Sequence, residues 1–366
     1  MSNVTPKGNY PYPDPSDPVS DYPATASTFA GYVDNLPNRN LIINPLFDIW
    51  QRGTSPATTT SGSYTADRWR LDWDGTAGTR AVSATTPTLG SSIGGMQPYR
   101  AANINVSTLA TGQSFMRFAQ RIEGVRSLAG ETATLSLYVS STVAPKTVTI
   151  RAVQNFGTGG SPSSAVTTAI GTATTTTSYV RKTYTFTVPA LTSKTVGTNG
   201  DDYLEIHFDL GTQTGTFNFW GVQLEQNTTA TALERRPIQQ ELALSQRYYE
   251  KSYNPDILPG TIGWLGNGQI SGCGALAGST AGNVSGGSLL PFKVAKRAAP
   301  IVTAYDYDGT INAGRVSGVT KKTGITGFAN PDTCGGFQFL SFDSSSAVAI
   351  GANASFVFNW TASAEL

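Results

Sequence analysis

The chain has little of the chemistry that most catalytic and metal sites need. Among its 366 residues there are one histidine and two cysteines, and only 13% of the residues are charged. Two cysteines, Cys273 and Cys334, supply neither a zinc site nor a disulfide framework, and free or buried thiols are favoured over a bridge. A Ser–His–Asp triad would have to use His207, and no nucleophile-elbow pattern, phosphate-binding glycine loop or dinucleotide fingerprint is present.

An excess of one charge and long apolar runs are also lacking. The net charge is +1, from 25 basic and 24 acidic residues, and no basic block predicts nucleic-acid binding. No run approaches the roughly 20 apolar residues of a spanning helix, so membrane insertion is not expected. No apolar segment opens the chain, which favours a protein made in the cytoplasm and not secreted.

What the chain does have is abundant turn-forming and strand-forming residues. It contains 39 glycines and 20 prolines, with many threonines and serines. This mixture favours many short strands joined by turns, and the length allows roughly two ordinary domains. The composition therefore predicts an all-β protein.

Residues 1–39 are predicted to form an extended, proline-rich arm that ends in a short helix. Repeated X-Pro pairs in NYPYPDPSDPVSDYP block helix formation and favour extended backbone. A disordered tail is one interpretation. The other is a peptide that anchors the chain on a larger particle through Tyr10, Tyr12 and Tyr22, since aromatic residues are depleted in disordered segments. Apolar spacing at 25–36 predicts the helix, which is too short to be stable alone.

Residues 40–236 are predicted to form a jelly-roll β-sandwich. Trp69, Leu71 and Trp73 alternate with Arg68, Arg70 and Asp72, which is the period of a half-buried strand. Further strands are predicted at 132–139, 147–153, 179–188, 203–210 and 217–224. The Gly/Ser/Thr-rich segment 157–178 is expected to be an exposed loop or a weak edge.

Residues 237–251 are predicted to be a linker helix, followed at 252–366 by a smaller, distal β-domain. Ile238, Leu242, Ser245 and Tyr249 recur at coiled-coil spacing, so Ile238, Leu242 and Tyr249 are candidate oligomerisation residues. A helix packed on its own domain and a three-stranded stalk remain equal alternatives. In the distal domain, Asp308-Gly309 predicts a hairpin and 355–363 a final strand.

The candidate catalytic groups are few. In YLEIHFDL, alternation places Glu205, His207 and Asp209 on one face of a strand. Such a row could hold a metal or act as a base, but the solvated face of a strand is the favoured interpretation. A glycosidase needs two carboxylates that flank the scissile bond. The acidic clusters of this chain lie beside turns, where aspartate is favoured because it bonds backbone amides. The clusters are Asp67, Asp72 and Asp74, and Asp201 and Asp202.

The aromatic residues favour recognition over catalysis. Indole and phenol rings bind the C–H faces of sugars at low entropic cost. Trp264, Tyr305 and Tyr307 lie beside glycines and turns and are the candidate glycan contacts, with local packing as the alternative. Four other tryptophans are assigned to the core: Trp50, Trp69, Trp73 and Trp220.

Several segments resemble the jelly-roll part of bacteriophage tail fibre and related receptor-binding virion proteins. They are NLIINPLFDIWQRG, YTADRWRLD, FAQRIEGVRSLAGETATLSLYV, WGVQLEQNTTATALERRP and IQQELALSQRYYEK, within residues 40–251. The terminal portion, FKVAKRAAPIVTAYDYDG through FNWTASAEL, resembles a domain that often follows. The resemblance implies a jelly roll of the type found in carbohydrate-binding modules.

The resemblance implies a homotrimeric fibre in the virion, on the phage tail. Its N-terminal arm would attach to other tail or baseplate proteins, and its distal domain would contact a bacterial surface glycan. Some modules of this type carry a structural calcium, for which Asn44, Asp48 and Glu225 are weak candidates, because Gln223 stands where a carboxylate would be expected. No other cofactor is expected.

These observations predict a structural, adhesive virion protein that binds surface polysaccharide without cleaving it, and not an enzyme. The alternatives are a capsule or lipopolysaccharide depolymerase and a purely structural decoration of the capsid or tail. A fold alone does not separate them, because function resides in sites.

Overall fold

The computed structural model describes residues 3–4, 11–12 and 38–366, except 57, 59, 256, 264–269, 273–288, 317–319, 324, 330–334 and 343–355. Within these ranges the chain is almost entirely β, with one α-helix, which confirms the predicted all-β class. Two short strands, β1 (Asn3–Val4) and β2 (Pro11–Tyr12), pair antiparallel near the N-terminus. The predicted helix at 25–36 lies outside the described residues.

One sheet of the first domain has six strands. They are β3 (Ser63–Tyr64), β4 (Trp69–Trp73), β7 (Met116–Glu123), β9 (Thr147–Asn155), β10 (Val166–Thr174) and β12 (Tyr203–Asp209). Their order across the sheet is β10-β9-β12-β7-β4-β3, and all described pairings are antiparallel. The weak edge predicted at 157–178 is thus the edge strand β10.

The second sheet has five strands. They are β5 (Thr79–Thr85), β6 (Ala101–Thr108), β8 (Thr132–Ser141), β11 (Val180–Thr187) and β13 (Gly215–Glu225), in the order β11-β8-β13-β6-β5. The strands predicted here and in the first sheet agree with the structure to within two residues at each end.

The core of this sandwich is built from the inward-facing residues of both sheets. Trp69 is fully buried and lies 5.0 Å from Phe47, 5.0 Å from Phe118 and 6.1 Å from Phe208, measured between ring centroids. Each such side chain contributes about 1.5–3 kcal/mol on burial. The four tryptophans assigned to the core from sequence are buried, as predicted.

The segment at 40–53 packs on the sandwich without forming a strand. Asn44 adopts a positive φ of 54°, and its side-chain oxygen accepts a hydrogen bond from the Ile49 amide at 3.0 Å. The Leu41 amide donates to the Leu224 carbonyl at 2.9 Å. Asn44 can stabilise this conformation because asparagine tolerates the left-handed region and bonds its own backbone.

Helix α1 (Ile238–Gln246) is shorter than the predicted helix at 237–251. The carbonyl of Pro237 accepts the Gln240 and Glu241 amides, and the buried side chains of the helix are polar. Glu241 accepts hydrogen bonds from the Asn44 amide at 2.8 Å and from Arg236 at 2.7 Å, which packs the helix on the jelly roll.

The distal domain follows the helix directly. Its strands are β14 (Tyr249–Lys251), β15 (Ile270–Gly272), β16 (Leu289–Pro291), β17 (Ile301–Tyr305), β18 (Ala313–Val316), β19 (Thr320–Thr323), β20 (Ile325–Ala329), β21 (Gly336–Phe342) and β22 (Phe356–Ser363). Strand β22 is central, since β14, β15, β17 and β18 all pair with it. The predicted turn at Asp308-Gly309 is present, with Gly309 at φ 84° and its amide bonded to the Asp306 carbonyl.

Tyr249 therefore lies in a strand and not on the predicted helical stripe, which corrects that part of the interpretation. Its ring packs under the Arg52 guanidinium, 3.6 Å from the ring centroid. The pairing of Tyr249 with Ser363, more than a hundred residues later, overrides the local helical pattern. Local propensity is a weak signal where a distant strand offers backbone partners.

Two arginines of the jelly roll join it to the distal domain. Arg68, expected from alternation to be solvated, is 1% exposed; it stacks over Tyr248 at 3.5 Å and pairs with Glu365. Arg52 also reaches Glu365, at 3.1 Å. Over the described ranges, no helix has the length and apolar character required to cross a bilayer.

Candidate functional site

The outer face of the six-stranded sheet carries a row of charged side chains. In β12, Leu204, Ile206 and Phe208 point into the core, so Glu205 and His207 point outwards, as the alternation predicted. In the neighbouring strands, register places Arg121 beside Glu205 and Arg151 beside His207. Side chains opposite one another across an antiparallel pair have Cβ atoms about 5 Å apart.

A cavity of about 330 Å³ opens on this face. Its walls combine arginines, carboxylates and aromatic rings with the one histidine. The lining residues are Ser61, Asp72, Phe115, Arg117, Arg121, Arg151, Val153, Thr167, Tyr203, Glu205 and His207. This volume lies at the lower end of small-ligand sites.

His207 is buried, which overturns the expectation that it lies on a solvated face. Only 2% of the residue is exposed, and Nδ1 lies 3.0 Å from Glu205 Oε1. Nε2 is buried and has no hydrogen-bond partner among the described residues. Because the Glu205 carboxylate is an acceptor, Nδ1 carries the proton of this hydrogen bond, and Nε2 is the ring nitrogen for which the described residues provide no partner.

Glu205 is held in its charged form. Burial alone would raise the pKa of its carboxyl, but the hydrogen bond to His207 and the charge of Arg121 outweigh burial and lower that pKa below its usual value. Arg121 Nε lies 3.1 Å from Glu205 Oε2, and its guanidinium also covers the Tyr203 ring at 4.3 Å.

The predicted acidic clusters serve local structure. Asp67, 1% exposed, accepts the Gln51 amide at 2.9 Å, and burial raises the pKa of its carboxyl. Asp74 accepts the Ser114 amide at 2.7 Å and Asp201 the Thr158 amide at 2.7 Å, both at turns as expected. Asp72 faces the cavity instead and is bound by Arg70 at 2.8 Å.

Two of the three candidate glycan contacts of the distal domain, Tyr305 and Tyr307, lie within the described residues. Tyr305 is half-buried and packs edge-on against Tyr253, with 6.0 Å between ring centroids. Tyr307 lies under the Arg315 guanidinium at 3.8 Å. Trp264, like Cys273 and Cys334, is outside the described residues, so the role of this group stays a prediction.

The candidate anchor and assembly residues are also untested. Tyr12 lies in β2, whereas Tyr10 and Tyr22 fall outside the described residues. Ile238 is 51% exposed and Leu242 is half-buried, so both leave some apolar surface to solvent.

The calcium candidates do not converge. Asn44 and Asp48 line a second cavity, of about 160 Å³, but Glu225 does not. Both oxygens of Glu225 already accept hydrogen bonds from Thr231, at 2.9 and 2.7 Å. Among the residues that the structure describes, no group of three or more His, Cys, Asp or Glu side chains could hold a metal. Calcium binding stays a prediction.

Sequence reasoning missed most of the cavity. It singled out Glu205 and His207 but not Arg117, Arg121 and Arg151. The sequence did contain a signal for the arginines, because Arg117 and Arg121 lie four residues apart in one strand, and so on one face of it, in a chain with few charged residues. What the sequence could not show is which strands are neighbours in the sheet.

No protein-family model and no curated protein matches the chain. Among solved structures, it aligns with the enzymatically active domain of tailspike protein 4 of bacteriophage CBA120, at 16% identity and a TM-score of 0.30, over 52% of this chain and 22% of that one. It also aligns with a CBM22 xylan-binding domain of Paenibacillus barcinonensis, at 13% identity and a TM-score of 0.30, over 45% of this chain and 94% of that one. A family 22 carbohydrate binding module of Clostridium thermocellum aligns at 13% identity and a TM-score of 0.31, over 54% and 97%. These identities and scores are too low to transfer a site or a function.

Proposed function

We propose that this chain is a non-catalytic glycan-binding protein of a phage virion that attaches to the bacterial surface. The observation that carries glycan binding is the cavity on the outer face of the six-stranded sheet. It is lined by buried His207, whose Nε2 has no hydrogen-bond partner in the described part of the chain. A buried polar atom left without a partner costs about 1–3 kcal/mol, so a ligand that supplies the partner recovers that free energy.

The chemistry of the cavity favours binding over cleavage. A glycosidase needs a protonated carboxyl as general acid, usually one whose pKa is raised. Glu205 has a lowered pKa, and Asp72 is bound by Arg70. Depolymerisation remains the second candidate because a His–carboxylate pair with a free Nε2 has the arrangement of a general base.

The attachment role rests on the resemblance of residues 40–251 to tail fibre proteins. The arm at 1–39 would bind a tail or baseplate protein, and three copies would raise avidity through effective concentration. Light scattering tests the trimer, whose mass would be three times 38.5 kDa. Ile238→Asp, at an exposed position of the helix, would lower that mass if the helix assembles the trimer. A monomeric mass for the unmodified full chain would contradict the proposal of a trimeric fibre.

Glycan binding is tested on an array of bacterial surface polysaccharides with the full chain. Thr167→Phe introduces a ring at an exposed edge position that lines the cavity, and it should weaken binding at least tenfold. Thr183→Phe makes the same change at an exposed position of the edge strand β11 in the other sheet and should leave binding unchanged.

Three outcomes are distinguishable. Binding that Thr167→Phe abolishes supports the outer-face site. Binding to no polysaccharide would overturn the glycan-binding proposal and favour a decoration protein. Release of reducing ends from a bound polysaccharide, lost in His207→Gln, would establish the depolymerase instead.

A further inference from the structure

Two arginines of the outer-face cavity, Arg117 and Arg151, have no hydrogen-bond acceptor among the residues that the structure describes. The nearest carboxylate to both is Asp209, whose Oδ2 lies 3.7 Å from Arg117 Nε and 3.8 Å from Arg151 Nη1, beyond hydrogen-bond distance. Arg117 Nε is buried and has no hydrogen-bond partner within the described ranges. The Phe115 ring lies 4.0 Å from the Arg117 guanidinium. Both guanidinium groups therefore keep donors for a ligand.

Asp209 is mainly committed to the backbone. Its Oδ1 accepts the Gly211 amide at 2.9 Å and the Met116 amide at 3.3 Å, where β12 turns. One carboxylate at long distance from two guanidinium groups neutralises only one of them. The shared arrangement leaves a positive excess at Arg117 and Arg151.

The remaining charges of this face are paired with each other. Arg121 binds Glu205 at 3.1 Å, and Arg70 binds Asp72 at 2.8 Å. Arg121 and Arg70 also donate to the Leu366 oxygen, at 2.8 and 3.4 Å, so the excess positive charge lies at Arg117 and Arg151, which share Asp209. In a cavity partly screened from water, one excess charge is felt more strongly than on an open surface.

His207 stands between these arginines. Register places it opposite Arg151 on one side and opposite Ala119 on the other. Arg117 occupies the position two residues before Ala119 on the same face. Arg117, Arg151 and His207 therefore line the same cavity.

From this geometry we propose that the cavity takes the carboxylate of an acidic sugar residue within a surface polysaccharide. This inference rests on the proposed glycan binding and names its ligand class. Guanidinium groups match a carboxylate geometrically and bind it with charge-assisted hydrogen bonds. His207 Nε2 would form a hydrogen bond with a neighbouring sugar hydroxyl, and the Phe115 and Tyr203 rings would supply an apolar wall for the sugar ring.

The test uses the full chain and pairs of polysaccharides that differ only at the carboxyl group. Polygalacturonate, heparosan and polysialic acid are each compared with their carboxyl-reduced forms, and xylan and galactan serve as neutral glycans. We expect at least one acidic polymer to bind, to lose at least tenfold in affinity on carboxyl reduction, and to bind more weakly as NaCl rises.

Charge-removing variants connect that preference to the cavity. Arg117→Gln and Arg151→Gln should each lower the affinity for the acidic polymer at least tenfold while changing the affinity for neutral glycans little. Arg126→Gln removes the same charge at an exposed position outside the cavity lining and should have no such effect. Circular dichroism and the melting temperature confirm that each variant is folded.

The outcomes separate this inference from the proposal beneath it. Equal binding of acidic and carboxyl-reduced polymers would overturn the acidic-sugar inference and leave glycan binding intact. Preference for a sulfated or phosphorylated glycan, lost in the same variants, would replace the carboxylate by another anion. Binding to none of the glycans would overturn both.

Discussion

Asp48 is a carboxyl that the fold removes from water without fully satisfying it. Its Oδ1 is buried and has no hydrogen-bond partner among the described residues, and it lines the smaller cavity beside Glu241. Burial raises the pKa of Asp48 from 3.8 to about 6, against the opposing influence of Arg100 and Arg235. The charged form of this residue therefore destabilises the fold at neutral pH.

Asp48→Asn should stabilise the protein at pH 7. The folded pKa lies above the unfolded value of 3.8, so the favourable contribution of the protonated carboxyl is complete below about pH 4 and is lost as the pH rises through about 6. The variant should gain on the order of 1–3 kcal/mol at pH 7, with the gain vanishing near pH 4. Urea unfolding across this pH range measures it.

Glu131→Gln, a carboxyl-to-amide change at an exposed position, is the matched control and should change the free energy of unfolding by less than about 0.5 kcal/mol. A less stable Asp48→Asn at pH 7 would show that the charged carboxylate has a favourable partner, such as a bound cation.

Lys296 forms a fully buried ion pair with Glu250. Its Nζ lies 2.5 Å from Glu250 Oε2 and also donates to the carbonyl of Gln246 at 2.6 Å. Burial lowers the pKa of Lys296, although Glu250 opposes that shift. Lys296→Met should cost about 3–5 kcal/mol in unfolding free energy, because it leaves a buried carboxylate unpaired.

The double variant Lys296→Met with Glu250→Gln tests the reason for that loss. Removing the stranded charge should recover much of the stability, as a double-mutant cycle in urea would show. If the double variant were as unstable as the sum of the single ones, the pair would not interact as the distances indicate.

At the scale of elements, strands were predictable where one face of a sheet is buried. The period-two alternation of Trp69, Leu71 and Trp73 depends only on neighbours in sequence. Helix α1 was predicted too long because the partner of Tyr249 is in β22, which no local pattern reveals. His207 was placed on the correct face, but its burial depends on arginines contributed by two other strands.

A β-bulge in β13 illustrates a constraint that sequence pattern does not show. Gly221 adopts φ +59° between Trp220 and Gln223, where the register with β8 shifts. A Cβ there would lie 2.8 Å from Leu233 Cδ2 and 3.0 Å from Tyr138 Cδ2. Only glycine combines this φ with this space.

Gly221→Ala should therefore cost about 2–4 kcal/mol in unfolding free energy, the sum of backbone strain and overpacking. Gly211→Ala is the matched control, because Gly211 has φ +61° but no atom within 4 Å of its Cβ position. It should cost only the backbone strain, about 1–2 kcal/mol. Equal losses in the two variants would exclude the steric contribution.

At the scale of the whole molecule, the cluster of Arg52, Arg68 and Glu365 joins the two β-domains. Arg68 donates to the carbonyl of Arg121, stacks on Tyr248 and pairs with Glu365, so one buried side chain contacts the sandwich and the distal domain. Arg121 in turn donates to the Leu366 carbonyl at 2.8 Å. The distal domain is thus connected to the wall of the outer-face cavity.

Arg68→Met should weaken this connection. Loss of the guanidinium leaves Glu365 with Arg52 alone in a buried setting, which should lower the unfolding temperature of the distal domain by several degrees. Differential scanning calorimetry would show the two domains unfolding at more widely separated temperatures. Arg126→Met, at an exposed position, should leave the profile unchanged; a uniform shift of one transition in Arg68→Met would contradict a role at the junction.

Strand β22 comes after every strand with which it pairs. On the ribosome, β14, β15, β17 and β18 emerge before the strand that supplies their backbone partners, whereas the sandwich is complete once β13 has emerged. Domains tend to fold in order of synthesis, so the sandwich would fold before the central strand β22 of the distal domain has been synthesised. A premature stop before Phe356 would remove that centre and leave a folded sandwich followed by unpaired strand edges, which favour aggregation.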